Sequence, residues 1–405
     1  MERYTDEKHP EGVYEIVPPV QHQQPKPKRP LWRRIVRVFL TVAVVFMVWS
    51  TVRPVIHGMR RRCHGGHGKP IQEPMLAIPE KDMAPPIDLD MDHHFLDEVE
   101  VPYEHYNFPS DLRNFWIKQE SFHGISRIQV TGNLIVHSCE KAENISAHFK
   151  FELSDPSLRS DLSVEPSEDG ILFKLDPFSL IRETVNATIF LVIPKGKAAD
   201  GGDYSLDELT ISTISIPIWL KDTVTTNIDK ATISSVSGSI ANYGKAADDN
   251  ALDITSLRVT AVSGSIVGEF PLNHALDLET TSGEITADIV SANLKEETGY
   301  LKTHSVSGQH KINFLGKLNP RPLYSSHNSV SGDVELTYPE DWQGGLKLTT
   351  TSGHIKVAGK GTKVEERNKG PVEKFWKVVK GEGLSKGSVT TVSGKIDVLI
   401  GKTEK

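Results

Sequence analysis

Seven serines stand in one repeated setting: Val236-Ser237-Gly238, Val262-Ser263-Gly264, Thr281-Ser282-Gly283, Val306-Ser307-Gly308, Val330-Ser331-Gly332, Thr351-Ser352-Gly353 and Val392-Ser393-Gly394. A nucleophilic hydroxyl needs a general base within hydrogen-bond reach and a third group that orients the base. Such a serine occurs once per site, so seven equivalent copies read as structural corners. Glycoside cleavage would need two acids at a fixed separation across a groove. Glu269, Asp277, Glu279, Glu284 and Asp288 are the candidates, but no motif singles out a pair among them. His57, Cys63, His64 and His67 include a Cys-His-x-x-His that could hold a soft metal. No second ligand pair completes a four-coordinate site, so the stretch reads as a basic juxtamembrane segment. These residues assign no catalytic, cofactor or metal site, and the chain reads as a non-enzyme.

The elements that carry the serines are legible in the alternation around them. Leu346, Leu348 and Thr350 precede Ser352 at even spacings, and Ile355 and Val357 follow it at odd ones. Leu276, Leu278, Thr280, Ile285, Ala287 and Ile289 repeat the pattern around Ser282, and Val389, Thr391, Ile396, Val398 and Ile400 around Ser393. Period-two alternation predicts strands with one buried face. The phase shift at Ser-Gly predicts a corner or a turn, with Gly supplying a positive φ and Ser bonding nearby backbone. The Val or Thr before each Ser is expected to flank a packed corner. Successive serines lie 26, 19, 25, 24, 21 and 41 residues apart, a period typical of stacked repeats. A β-solenoid satisfies this pattern and is the expected fold. A row of hairpins with Ser-Gly at the tips is the alternative, although two-residue hairpins prefer Asn-Gly, Asp-Gly or a leading Gly.

The phrases Ser263-Gly264-Ser265-Ile266, Ser331-Gly332-Asp333-Val334 and Ser393-Gly394-Lys395-Ile396 resemble the Ser-Gly-x-Ile repeats of the putative-adhesin β-repeat domain. That family, of unknown function, is seen in bacterial and fungal proteins and is often tethered to a membrane. The resemblance covers the chain's C-terminal part, is strongest after Ala231, and fits a membrane-anchored, fungal-type member. It implies surface adhesion and brings no catalytic residues. The fourth copy departs from it, with His310 where the others place Ile or Val, and that turn is expected to be bent or more exposed.

Of 405 residues, 24% are charged, with a net charge of −7, which gives no basic footprint for nucleic acid. Cys63 and Cys139 are the only cysteines, too few for a disulfide scaffold; a bridge between them would tie stalk to domain. Residues 1–30 read as a disordered polar tail. Residues 31–56 read as a single-pass transmembrane helix acting as signal anchor. Its uncharged core, Val38 to Val52, is extended by Leu31, Trp32, Ile35 and Val36 and flanked by arginines able to snorkel. Residues 57–111 read as a juxtamembrane segment and a stalk rich in Pro and acids. Residues 112–401 read as an all-β ectodomain, with an irregular cap over 112–230 and Ser-Gly repeats over 231–401. An insertion over 360–388 is expected to hold a short helix, with Val372, Phe375, Trp376 and Val379 on one face. Basic residues flank the anchor on both sides. Two glycosylation sequons, at Asn144 and Asn186, favour an extracellular or lumenal C-terminal part. The expected role is an adhesin-like module that binds a glycan, a wall polymer or a protein. A carbohydrate-active enzyme using carboxylates on a β-helix face is the alternative.

Overall fold

The structure is a computed structural model and describes residues 104–121, 129–139, 142–175, 184–195, 204–221, 227–244, 254–291, 298–318, 322–370 and 373–401. The expected tail, membrane anchor and His57–Cys63–His64–His67 cluster lie outside these residues, as does most of the stalk. Residues 93–405 cluster as one unit. Among the described residues no helix is long and apolar enough to cross a membrane.

Alternating sequence becomes strand almost throughout. The first strands are β1 (Glu104–Asn107), β2 (Asn114–Ser121), β3 (Gln129–Cys139), β4 (Ser146–Leu153), β5 (Leu162–Pro166), β6 (Gly170–Leu175), β7 (Thr184–Pro194), β8 (Ser205–Thr213) and β9 (Ile218–Leu220). The repeats supply β10 (Asn227–Ser235), β11 (Ile240–Asn242), β12 (Ile254–Ala261), β13 (Ile266–Pro271), β14 (Ala275–Thr280), β15 (Ile285–Val290), β16 (Gly299–Ser305), β17 (His310–Leu315), β18 (Leu323–Ser329) and β19 (Val334–Tyr338). The chain closes with β20 (Gly344–Thr350), β21 (Ile355–Ala358), β22 (Thr362–Lys369), β23 (Lys374–Lys380), β24 (Ser385–Thr391) and β25 (Ile396–Ile400).

These strands form two large, mostly parallel sheets. The first has 12 strands in the order β1-β4-β7-β3-β9-β11-β13-β15-β17-β19-β25-β21. The second has 13, in the order β22-β23-β20-β24-β18-β16-β14-β12-β10-β8-β2-β6-β5. At each Ser-Gly the chain leaves the second sheet and enters the first. The strands on either side of a Ser-Gly therefore do not pair with each other, as a hairpin would require. Each pairs in parallel register with its counterpart in a neighbouring repeat. The residues three past each Ser fall in one row: Ile240, Ile266, Ile285, His310, Val334, Ile396 and Ile355. The inward faces of both sheets join in one core running from Phe108 to Ile400.

Chain order and spatial order differ at both ends. The last repeat, β24 and β25, lies between β18–β19 and β20–β21, and β2 and β3 lie between β6–β7 and β8–β9. Antiparallel strands finish the sheets: β4 and β1 beyond β7, β5 beyond β6, and β23 and β22 beyond β20. The helix expected within 360–388 is thus replaced by the β22–β23 pair. The open edge of β20 offers a seven-residue register to β23, and tertiary pairing of that kind overrides a local helical pattern. Similarly, Glu104–Asn107, read as stalk, is held as a strand against β4.

The reason for glycine at the corners also differs from expectation. None of the seven repeat glycines has a positive φ. They are glycine because successive corners touch. A Cβ on Gly264 would fall under 3.0 Å from the carbonyl oxygen of Gly238, and the same holds for Gly283 on Gly264, Gly308 on Gly283, Gly332 on Gly308, Gly394 on Gly332 and Gly353 on Gly394. At five of the seven corners the glycine N–H donates to a buried hydroxyl three residues earlier. Gly283 N donates to Thr280 Oγ1 at 3.0 Å and Gly332 N to Ser329 Oγ at 2.8 Å, with the same bond at Gly238, Gly353 and Gly394. The residue before each Ser points outward, with Val236, Val262, Val306, Val330 and Val392 all 42–47% exposed, so it does not flank a packed interior.

Gly283→Ala should therefore cost about 3 kcal/mol of unfolding free energy, because neither carbonyl nor corner can yield alone. Thr280→Val should cost about 1–3 kcal/mol by orphaning a buried N–H, and Ser282→Ala under about 1 kcal/mol. Denaturant melts of the 93–405 fragment give the ranking; equal losses for Gly283→Ala and Ser282→Ala would refute the corner-contact account.

Candidate functional site

All seven repeat serines lie exposed on the corner ridge, one residue before a buried glycine. The Oγ of Ser237 donates to Ile214 O at 2.9 Å and that of Ser263 to Val236 O at 3.2 Å. Ser282, Ser307, Ser331 and Ser352 donate in the same way to a backbone carbonyl of the adjoining corner. Each of these hydroxyl protons is committed to a carbonyl, and none is held by an imidazole or carboxylate. The geometry bridges one corner to the next and offers no activated nucleophile.

The five candidate carboxylates fall in three places. Glu269 and Asp288 sit opposite each other in register on the first sheet, where Asn313 Nδ2 donates to Asp288 Oδ1 at 3.1 Å. Glu284 follows a corner glycine, and its carbonyl accepts the Ile266 N–H at 2.8 Å. Asp277 and Glu279 lie on the outer face of the second sheet, between Arg258 on β12 and Lys302 on β16. Arg258 Nη2 meets Glu279 Oε2 at 2.7 Å, Lys302 Nζ meets Asp277 Oδ2 at 3.2 Å, and Lys302 also bonds Glu279. Burial and the neighbouring Glu279 charge hold the Asp277 carboxyl above its ordinary range against the pull of both cations. Burial also pushes Glu279 up, but its bonds to Lys302 and Arg258 outweigh that and leave it lowered. Opposite shifts in neighbouring acids can mark an acid–base pair. Here both acids are taken up by cations on an open sheet face, which makes an ion-pair ladder.

Asn144 sits part-exposed in the turn before β4. Asn186 lies within β7, and its Nδ2 donates to Glu152 Oε2 at 2.8 Å across β4. Cys139 ends β3, half-buried; Cys63 lies outside the described residues.

The densest polar cluster is inside the core, where the serine pattern gave no hint of one. His310 and His327 are both fully buried, so the fourth turn is not the exposed one expected. Thr303 Oγ1 lies 3.0 Å from His310 Nδ1 and 2.9 Å from His327 Nδ1. Tyr338 OH lies 3.3 Å from His327 Nε2 and 2.8 Å from Ser325 Oγ. One threonine proton cannot serve two acceptors, so one histidine donates to Thr303 and the other accepts from it. A consistent chain runs from Ser325 to Tyr338, on to His327, then Thr303 and His310. Its far end, His310 Nε2, has no partner. Burial, with His304 nearby, lowers the His310 pKa to about 4; burial, with His310 nearby, lowers that of His327 to about 3. The sequence did carry a signal: Thr303, His310, Ser325 and His327 all occupy inward positions of the period-two pattern.

On the outer face of the second sheet, Tyr300 and Tyr324 sit in register on neighbouring strands, their rings stacked at 5.6 Å and 17°. They are 44% and 36% exposed, and His274 meets Tyr300 edge-on at 5.3 Å. Polar side chains surround them: Ser326, Asn328 and Ser388 form a bonded row beside Tyr324.

No protein family model matches this sequence, and no curated protein matches it. Solved structures that align with it include two described as adhesion proteins. A putative cell adhesion protein from Clostridium sporogenes ATCC 15579 shares 12% identity over 74% of this chain and 99% of that one, with a TM-score of 0.22. A putative adhesin from Bacteroides fragilis NCTC 9343 shares 11% identity over 73% of this chain and 97% of that one, with a TM-score of 0.30. Likeness at these scores decides nothing about function.

The buried histidines make stability depend on pH. Their folded pKa values lie below the unfolded value near 6.5, so their contribution is fully present above that pH. It is lost as pH falls from about 6.5 toward about 4 and then about 3, since only the unfolded chain takes up the protons. Between pH 6.5 and 5 the loss should reach about 2–4 kcal/mol, at about 1.4 kcal/mol per pH unit for each histidine. The double variant His310→Ile, His327→Leu, which restores the residues of other repeats, should flatten that segment of the curve. Parallel curves for variant and parent in urea melts would refute the assignment.

Proposed function

We propose that the chain is a non-enzymatic, membrane-anchored surface module of adhesin-like type. In this reading its two sheets are the faces of a β-solenoid that binds a glycan, a wall polymer or a protein. The supporting observation is the outer face of the second sheet, where the exposed Tyr300–Tyr324 pair stands among Ser326, Asn328 and Ser388 on parallel strands fixed by the corner contacts. A pyranose has an apolar C–H face that packs on an aromatic ring and hydroxyls that bond short polar side chains. A rigid sheet presents both without a cost for ordering a loop. The carboxylates that catalysis would need are spread over both sheets or held in the Arg258–Lys302 ladder. The membrane anchor is residues 31–56, and the ectodomain faces the extracellular space or a lumen.

The 93–405 fragment, screened against glycans and wall polymers, should bind a polymer of hexopyranoses. Tyr300→Ala with Tyr324→Ala should weaken that binding at least about tenfold, the loss of ~1–3 kcal/mol typical of a stacked aromatic contact. Undiminished binding by the double variant would move the site elsewhere, and release of soluble sugar from the polymer would overturn the non-enzymatic reading. The full chain, expressed in eukaryotic cells, should resist carbonate extraction and lose mass on endoglycosidase treatment. Release by carbonate would remove the anchor from the proposal.

A further inference from the structure

The two ends of the stacked sheets differ in charge and in outline. The end that carries β20 to β23 is basic. Residues 345–380 contain nine Lys or Arg against three Glu, a balance of +6 in a chain whose total is −7. Lys360 and Lys363 stand exposed there, beside the exposed Val364. Arg367 lies over the Trp376 ring at 4.2 Å. The opposite end, which carries β4, β5 and β6, is acidic. Residues 146–175 contain six Asp or Glu against Lys150, Arg159 and Lys174, a balance of −3, with Glu165 and Glu168 exposed and Glu165 paired with Lys174.

The outlines are stepped in opposite senses. At the basic end the first sheet stops at β21, while the second runs on through β23 and β22. At the acidic end the first sheet runs on through β4 and β1, while the second adds only β5. The recessed edge strand β21 and the projecting edge strand β1 are each four residues long and belong to the same sheet. An edge strand presents a row of unpaired backbone donors and acceptors. The overhang is two strands at the basic end and one at the acidic end, so it is in charge sign that each end offers what the other lacks.

We propose that the basic end binds the acidic end of a second copy of this chain. The contact is heterologous, since two different surfaces meet. It leaves one free end of each kind, so assembly continues head to tail and does not stop at a dimer. An anionic membrane or an acidic polymer would also attract the basic end. A second copy is favoured because the chain carries the complementary acidic surface on its own other end.

The test uses the 93–405 fragment, which contains the whole described core. In sedimentation velocity at low salt, its weight-average mass should grow with concentration to at least about threefold that of one chain, without a plateau at two. Raising salt from about 0.05 M to about 0.5 M should return it to one chain, because the contact is largely between exposed charges. Lys360→Glu with Lys363→Glu should leave the fragment monomeric, and so should Glu165→Lys with Glu168→Lys. Mixing the two reversed proteins should restore association, because each keeps one native end that matches the other's. All four substitutions are at exposed positions, and circular dichroism melts confirm that each variant folds. A fragment monomeric at every concentration, a plateau at two, or a mixture that stays monomeric would overturn the proposal. So would sedimentation with anionic phosphatidylserine vesicles in the absence of self-association, which would give the basic end to a membrane.

Discussion

Backbone contact between successive corners sets the geometry of the repeats. Six of the seven repeat glycines lie so close to a glycine carbonyl of the adjoining rung, and Gly238 so close to that of Ile216, that a single methyl group cannot be placed between them. A corner held at that distance fixes the spacing of the strands on both sides of it, which is why both sheets keep parallel register through repeats of unequal length. Loops between repeats vary from the short link of residues 272–274 to longer excursions, yet Ile266 still meets Ile285 and Ile285 still meets His310. The hydroxyl that receives the glycine N–H completes the device. It converts a buried donor into a satisfied one without calling on the strand ladders.

Much of this was legible in the sequence, and the parts that were not have identifiable causes. The inward rows were set by period-two alternation, and the corner by the phase change at Ser-Gly. What alternation cannot encode is which repeat neighbours which. Near-equivalent rungs present near-equivalent edges, so nothing in Val392-Ser393-Gly394 says that it stacks between the fifth and sixth copies. Over 374–380, Phe375, Trp376 and Val379 satisfy helical spacing, while the pairing that decides the segment's state comes from β20, about thirty residues earlier. The importance of the glycines is legible, but not its cause. Conformational freedom and close approach leave the same mark in a sequence, and only the neighbouring carbonyl distinguishes them. Of the candidate site residues, the serines and carboxylates were placed on corners and outer faces by the same alternation, but the Lys302 ladder needed the register of β14 with β16.

The core tolerates polar residues only where they can be chained together. Thr303, His310, Ser325 and His327 take inward positions that elsewhere hold Leu, Ile or Val, and Tyr338 reaches in to join them. Replacing an apolar contact by a hydrogen-bonded one inside a packed core yields little net stability. A partly satisfied network such as this one, with His310 Nε2 left over, makes the fourth and fifth rungs one place where acid acts on the fold. The outer faces are under no such restriction. Hydroxyls, amides and ion pairs accumulate there without burial cost.

The last repeat is stitched into an interior rung, and β2 and β3 lie between neighbouring rungs at the other end, beyond which β1 remains an edge strand. In a simple linear stack the terminal rung is held by one neighbour and frays first. Here β20 and β21, which precede the last repeat in sequence, depend on β24 and β25 for their parallel contacts, and β24 and β25 are also bound to β18 and β19. At the other end β2 and β3 bridge β6 and β7 to β8 and β9 in the same way. Pulling on residue 401 therefore loads an interior rung with partners on both sides before it reaches the end of the sheets. Opening that rung breaks two sets of strand ladders at once and exposes the core to water on both faces. Under load from the C-terminal side this arrangement resists peeling without any covalent crosslink, and it does so by chain order alone.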